Sequence, residues 1–144
     1  MSTLSIATSG LSAASLRLDV AASNIANVLT TGPLPATTGS GATGSSSNNL
    51  PAAYVPLQVN QVEQSSGSTP GGTAATVTTV SPSFVAQFDP SAPFADQNGL
   101  VAAPNVDLAS QFIQLLVAKY DFAANAKVIQ TYADTTKSLL DIKT

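Results

Sequence analysis

Residues 4–28, LSIATSGLSAASLRLDVAASNIANV, decide how the N-terminal part of the chain folds. Apolar side chains recur there at alternating intervals of three and four residues over four heptads. These apolar side chains form a seam of two rows. One row has large side chains, Leu4, Leu11, Leu18 and Ile25, and the other is mostly alanine, with Ala7, Ala14, Ala21 and Val28. The pattern predicts a helix over residues 3–29 that packs as a coiled coil.

The C-terminal stretch, residues 105–143, predicts a second and longer helix. Asn105 and Asp107 can each cap a helix start, and neither glycine nor proline follows them. Lys119 interrupts the seam of this helix, either as a snorkelling amine or as the partner of a carboxylate on another subunit. The complete seam, spaced by four and three, is Leu108, Phe112, Leu115, Lys119, Phe122, Ala126, Ile129, Ala133, Thr136 and Leu140.

The two predicted helices differ in length, and the longer one is apolar on more than one side. Paired antiparallel, they leave roughly two to three turns of the longer helix without a partner in the same chain. Ile113, Val117 and Tyr120 lie outside the seam, so a further face is also apolar. Such a face predicts an interface with another chain, unless strands of the same chain cover it.

The middle of the chain is rich in glycine, serine, threonine and proline. Residues 30–53 have the composition of a flexible loop, whereas residues 55–60 and 76–88 predict one β-hairpin that Pro82 can split. The prolines and Gly99 within 89–104 predict an irregular strap. We therefore expect a mainly α fold: two long paired terminal helices, with a small β-hairpin and extended irregular loops between them. The three segments are 1–32, 33–104 and 105–144.

Composition argues against several classes of function. The 144 residues suit one domain or assembly unit, at about 150 residues per domain. Cysteine and histidine are absent, and the five cations and eight carboxylates are thinly spread. Asp89, Asp96 and Asp107 lack the spacing of a calcium loop and suit turns and caps instead. We expect no catalytic residue, cofactor, metal, small-molecule substrate or nucleic-acid partner.

The N-terminal motif resembles that of bacterial flagellar rod and hook proteins. The similarity lies in residues 9–13, 17–19 and 23–32, the last reading SNIANVLTTG. Within it, Asn24 and Asn27 either bond to the following turn or fix the register between subunits. Residues 88–93, 95–96, 98–101, 104–108 and 125–129 resemble the proximal-rod members of the same family.

This resemblance implies a structural subunit rather than an enzyme. Its seam residues would pack against copies of itself and other rod proteins in a helical tube that crosses the periplasm of the flagellar basal body. The membrane-ring and export-gate base and the flagellar type III export machinery would be further partners. Residues 1–7 lack the basic and apolar regions of a signal peptide, which fits such export. The alternatives are a soluble coiled-coil adaptor that does not polymerise and, more remotely, a carboxylate-dependent hydrolase.

Overall fold

The computed structural model describes residues 3–35, 52–64 and 71–142. The elements, in chain order, are α1 (Thr3–Ala26), β1 (Leu57–Glu63), β2 (Thr73–Thr79), β3 (Phe84–Phe88), β4 (Leu100–Pro104) and α2 (Leu108–Asp141). Most of the predicted flexible loop at 30–53, and most of the turn between β1 and β2, lie outside the described residues. Two terminal helices with small antiparallel sheets between them confirm the mainly α prediction in its coarse form.

Both helices begin and end close to where the sequence predicts. Asp107 caps α2: its carboxylate accepts a hydrogen bond from the Ala109 N–H at 3.1 Å. Asn105, the other candidate cap, instead donates from its side chain to the Pro82 carbonyl at 2.9 Å. Its role is therefore to hold the chain that enters α2 against the turn between β2 and β3.

The predicted β-hairpin consists of β1 and β2. They pair antiparallel from Leu57 opposite Thr79 to Glu63 opposite Thr73. Pro56 lies just before β1, so the ladder loses no donor, and its carbonyl accepts from the Val80 N–H at 2.9 Å. The second predicted run does break at Pro82, and β3 follows the break.

The strap predicted over 89–104 is irregular only as far as Gly99, because its last five residues form β4. This strand pairs with β3 on one side. On the other side, Gly32 and Ala102 exchange two backbone hydrogen bonds of 2.9 and 2.8 Å. Because β4 is buried on both faces, it shows no alternation of apolar and polar residues, and Pro104 stands at its end, where a strand tolerates it.

Aspartates organise the turns of the strap. The Asp96 carboxylate accepts from the N–H groups of Leu100 and Asn98, each at 2.8 Å. The hydrogen bond from Leu100 in particular lowers the pKa of Asp96 below its ordinary value of 3.8, so this turn loses support as the pH falls through that lowered value. Gly99 has a φ of 73°, which favours glycine, and a Cβ atom at this position would lie 3.0 Å from Phe88 Cε2. Among the described residues no three carboxylates cluster as metal ligands.

Candidate subunit-packing surface

The two helices pair antiparallel, with small residues of α1 against α2. Gly10 lies opposite Asn125, whereas Asn24, two α1 heptads later, lies opposite Gln111. The alanine row of the α1 seam is buried in this contact region, at Ala7, Ala14 and Ala21. The alanine row of the predicted seam therefore packs within the subunit.

The α2 side of this contact is polar, which the sequence did not predict. Gln111, Gln114, Asp121 and Asn125 approach α1 around Ala118, the one α2 residue described as buried. The predicted α2 seam lies about a quarter-turn away, and most of its residues are exposed. The helices pair, but coiled-coil packing between them is not confirmed.

Arg17 supplies the ionic part of the contact between the helices. One guanidinium nitrogen donates to Asp121 Oδ2 and the other to Gln114 Oε1, both at 2.8 Å. Arg17 is largely covered, with its side chain 17% exposed, whereas Asp121 is half exposed. Because guanidinium presents two directed donors, this arrangement fixes the axial register of α2 on α1.

Gly10 allows the Asn125 side chain to lie close to the α1 backbone. A Cβ atom at this position would lie 2.7 Å from Asn125 Oδ1. The Asn125 amide also donates to the Asp121 carbonyl at 2.8 Å, which holds it in place. Glycine inside a helix costs about 1 kcal/mol relative to alanine. The close approach of Asn125 on α2 accounts for a glycine at this position of α1.

A double-mutant cycle tests whether Gly10 and Asn125 are in close contact. Gly10→Ala should lower the free energy of unfolding by about 1 kcal/mol, because the clash with Asn125 outweighs the gain in helix propensity. In an Asn125→Ala background the same change should stabilise by about 1 kcal/mol, since only the propensity gain remains. Urea unfolding of the four proteins measures the coupling. Additive effects of the two substitutions would contradict the contact.

Asn24 is the most connected side chain of the surface between α1, β1 and α2. It is 1% exposed, and its amide nitrogen donates to the Leu57 carbonyl at 2.7 Å and to Gln111 Oε1 at 3.1 Å. Its oxygen accepts from the Leu57 N–H and from the Tyr54 hydroxyl, each at 3.0 Å. The structure thus gives Asn24 bonds beyond its own turn, whereas Asn27 donates to the Ser23 carbonyl one turn back. Contacts of either asparagine with another subunit stay a prediction.

Large apolar side chains are exposed along α2. Phe112, Ile113, Leu116 and Tyr120 are 50%, 60%, 50% and 70% exposed. The strands of the same chain therefore do not cover the second apolar face, which was the alternative to an interface. On α1 the large row is half-buried or, at Leu4, exposed.

The C-terminal end of α2 extends beyond α1. Thr3 and Tyr132 line one groove of about 520 Å³, so α2 residues after Tyr132 lie past the described start of α1. Residues 133–141 span about 13 Å, or two and a half turns, as the length difference predicted. All of them are exposed, including Leu140 at 67%. Within the described residues, neither α1 nor α2 has the apolar stretch that a membrane-spanning helix needs.

Comparison with known proteins shows which class of proteins shares these terminal segments. Residues 4–33 match a family model described as flagella basal body rod protein, and residues 97–142 match one described as flagellar basal body rod FlgEFG protein C-terminal. These are the two terminal helices with the segments that dock on them, so the class is that of flagellar basal-body rod proteins.

The full-length relatives specify the class further. The chain is 34% identical to the flagellar basal-body rod protein FlgC of Salmonella typhimurium over 88% of this chain and 84% of that protein. Identity to FlgC of Yersinia enterocolitica is also 34%, over 94% and 88%, and to FlgC of Agrobacterium fabrum 31%, over 95% and 90%. The chain belongs to the FlgC family of flagellar basal-body rod proteins and is a structural rod subunit.

Sequence reasoning identified the apolar seams but missed the polar partners that position the helices. Tyr54 and Gln111 had no signal of their own, because their roles depend on contacts with a distant Asn24. The sequence did indicate a close neighbour at Gly10, because a glycine inside a heptad helix leaves room for one, but it did not identify Asn125 as that neighbour.

Proposed function

We propose that this chain is a subunit of the proximal rod, and that its exposed seam residues pack against neighbouring subunits in a helical tube. The tube would cross the periplasm and transmit torque from the motor to the distal rod and hook. One observation carries this proposal: the apolar side of α2 is left exposed by a subunit whose other elements are already paired.

The proposal assigns separate tasks to the two rows of the α1 seam and to two sides of α2. Within a subunit the alanine row of α1 meets the polar row of α2. Between subunits, the large row of α1 and the α2 seam from Leu108 to Leu140 would form coiled-coil contacts with other copies and other rod proteins. A heterologous contact that does not close into a ring generates a helical polymer.

Export and attachment follow from the same proposal. The subunit would pass through the flagellar type III export machinery without a cleaved signal peptide. It would then assemble on the membrane-ring and export-gate base. Support comes from the family membership.

Electron microscopy of basal bodies from a strain that lacks this gene tests the proposal. We expect missing or truncated rods and loss of motility, both restored by the gene on a plasmid. Complete rods in the deletion strain would contradict the rod assignment and favour the adaptor alternative. The adaptor also predicts a small stable oligomer in solution, which analytical ultracentrifugation would detect.

A further inference from the structure

The side of α1 that faces away from both α2 and the hairpin is built from small side chains. Residues at intervals of three and four share this face, and all are exposed or half exposed. Its members are Thr8, Ser12, Ser15, Asp19, Ala22 and Ala26. The face is therefore a shallow surface with one charge, at Asp19.

The side of α2 that faces away from α1 has the opposite character. It carries Phe112, Ile113, Leu116 and Tyr120, all at least half exposed. Lys119 lies beside this row and is exposed as well. One helix of the chain thus offers large apolar side chains next to a cation, and the other offers a small-residue surface that contains an anion.

Asp19 and Lys119 have no ion-pair partner among the described residues, whereas Arg17 and Asp121 pair with each other. Other candidates for the partner of Lys119 fit less well. Glu63 lies on the hairpin rather than on a helix face, and Asp134 has Lys137 one turn away on its own helix.

We infer that α2 of one copy docks on the outer face of α1 of a second copy of this chain, with Lys119 of the first opposite Asp19 of the second. This inference rests on the proposed function and adds to its seam contacts one contact between the outer faces of the two helices. Large side chains of α2 would fill the shallow surface of α1, and the ion pair would select the register. The partner is a second copy because each copy carries both complementary faces.

The register of this contact leads to a helical stagger. Within one chain, the pairs Asn24–Gln111 and Gly10–Asn125 put residue 19 of α1 level with residue 116 of α2. Lys119 is three residues further along α2, so pairing it with Asp19 of a second copy displaces that copy by about 4.5 Å along the helix axis. Repetition of one displaced heterologous contact gives a helical array instead of a flat ring.

Cross-linking between two differently tagged copies tests the pairing, because the chain contains no cysteine of its own. Asp19→Cys and Lys119→Cys copies are expressed together in the deletion strain, and isolated basal bodies are treated with a short bismaleimide. We expect a dimer that carries both tags. The matched control replaces Lys119→Cys by Lys137→Cys, which lies about 27 Å further along α2 and should give no such dimer.

A reciprocal charge exchange is the second measurement, should the cysteine copies fail to assemble. Asp19→Lys or Lys119→Asp alone should reduce the number of complete rods at least about tenfold, because like charges then face each other. The combination of the two should restore the number to within about twofold of the natural protein.

Two results would overturn the inference. The first is complete rods in which the Asp19→Cys and Lys119→Cys copies are not cross-linked to each other, or in which one of them is cross-linked to a different rod protein instead. Either outcome leaves the proposed function intact. The second is a charge-exchange double variant as defective as its single variants. Failure of the proposed function has a different signature, namely complete rods in the strain without the gene.

Discussion

Replacement of Asn24 by alanine should lower the free energy of unfolding by about 2–4 kcal/mol and prevent rod assembly. The substitution removes four hydrogen bonds at once. It leaves the Leu57 N–H and carbonyl without their side-chain partner, in a site where the asparagine itself is 1% exposed, whereas the Tyr54 hydroxyl keeps its hydrogen bond with Ser23 Oγ at 3.1 Å. Unsatisfied buried groups cost about 1–3 kcal/mol each, with partial relief where water enters.

Asn27→Ala is the matched control for this prediction. Asn27 lies three residues later in the same motif and donates to the Ser23 carbonyl from a half-buried position. Its removal should cost about 1 kcal/mol or less. Urea unfolding followed by circular dichroism compares the two subunits, and electron microscopy counts the rods. Equal losses for the two variants would contradict the central role of Asn24.

Asn24→Asp separates shape from hydrogen bonding at the same position. Aspartate has nearly the same volume, but as a carboxylate it donates no hydrogen bond. The Leu57 carbonyl and Gln111 Oε1 would then face negative oxygen atoms in place of an amide. We expect a loss of stability at least as large as that of Asn24→Ala, because a buried charge without a cationic partner adds its own cost.

The sequence predicts the elements of this protein better than their relative rotation. Both helices and a cap at either Asn105 or Asp107 follow from local signals, namely heptad spacing and polar side chains before an uninterrupted run; the structure shows that Asp107 is the cap. The face that α2 turns to α1 could not be predicted. Because α2 is apolar on several sides, burial of apolar area alone does not select one of them.

Specific contacts select the rotation of α2 instead. Gly10 leaves room for Asn125, Arg17 binds Asp121, and Asn24 bonds to Gln111. These interactions join residues about 90 to 115 positions apart, so no local pattern signals them. β4 was missed for a related reason: its neighbours, β3 and Gly32, come from separate parts of the chain, and a strand buried on both faces has no period-two pattern.

The exposed face of α2 gives the prediction with the largest effect on assembly. Ile113→Glu should leave the subunit folded, because this side chain is 60% exposed and a new carboxylate there remains in water. In the rod the same carboxylate would be buried among apolar side chains without a cationic partner, at a cost of several kcal/mol per contact. We therefore expect few or no complete rods and loss of motility.

Val62→Glu is a close control, since Val62 is also 60% exposed and apolar but lies on β1 of the hairpin, away from α2. It adds the same charge to a subunit with the same net charge of -3. Rod assembly with Val62→Glu and its failure with Ile113→Glu, at equal helix content and equal subunit stability, would locate the assembly surface on α2. Normal rods with Ile113→Glu would show that this face stays in water, and the packing proposed for the exposed apolar side of α2 would then be wrong.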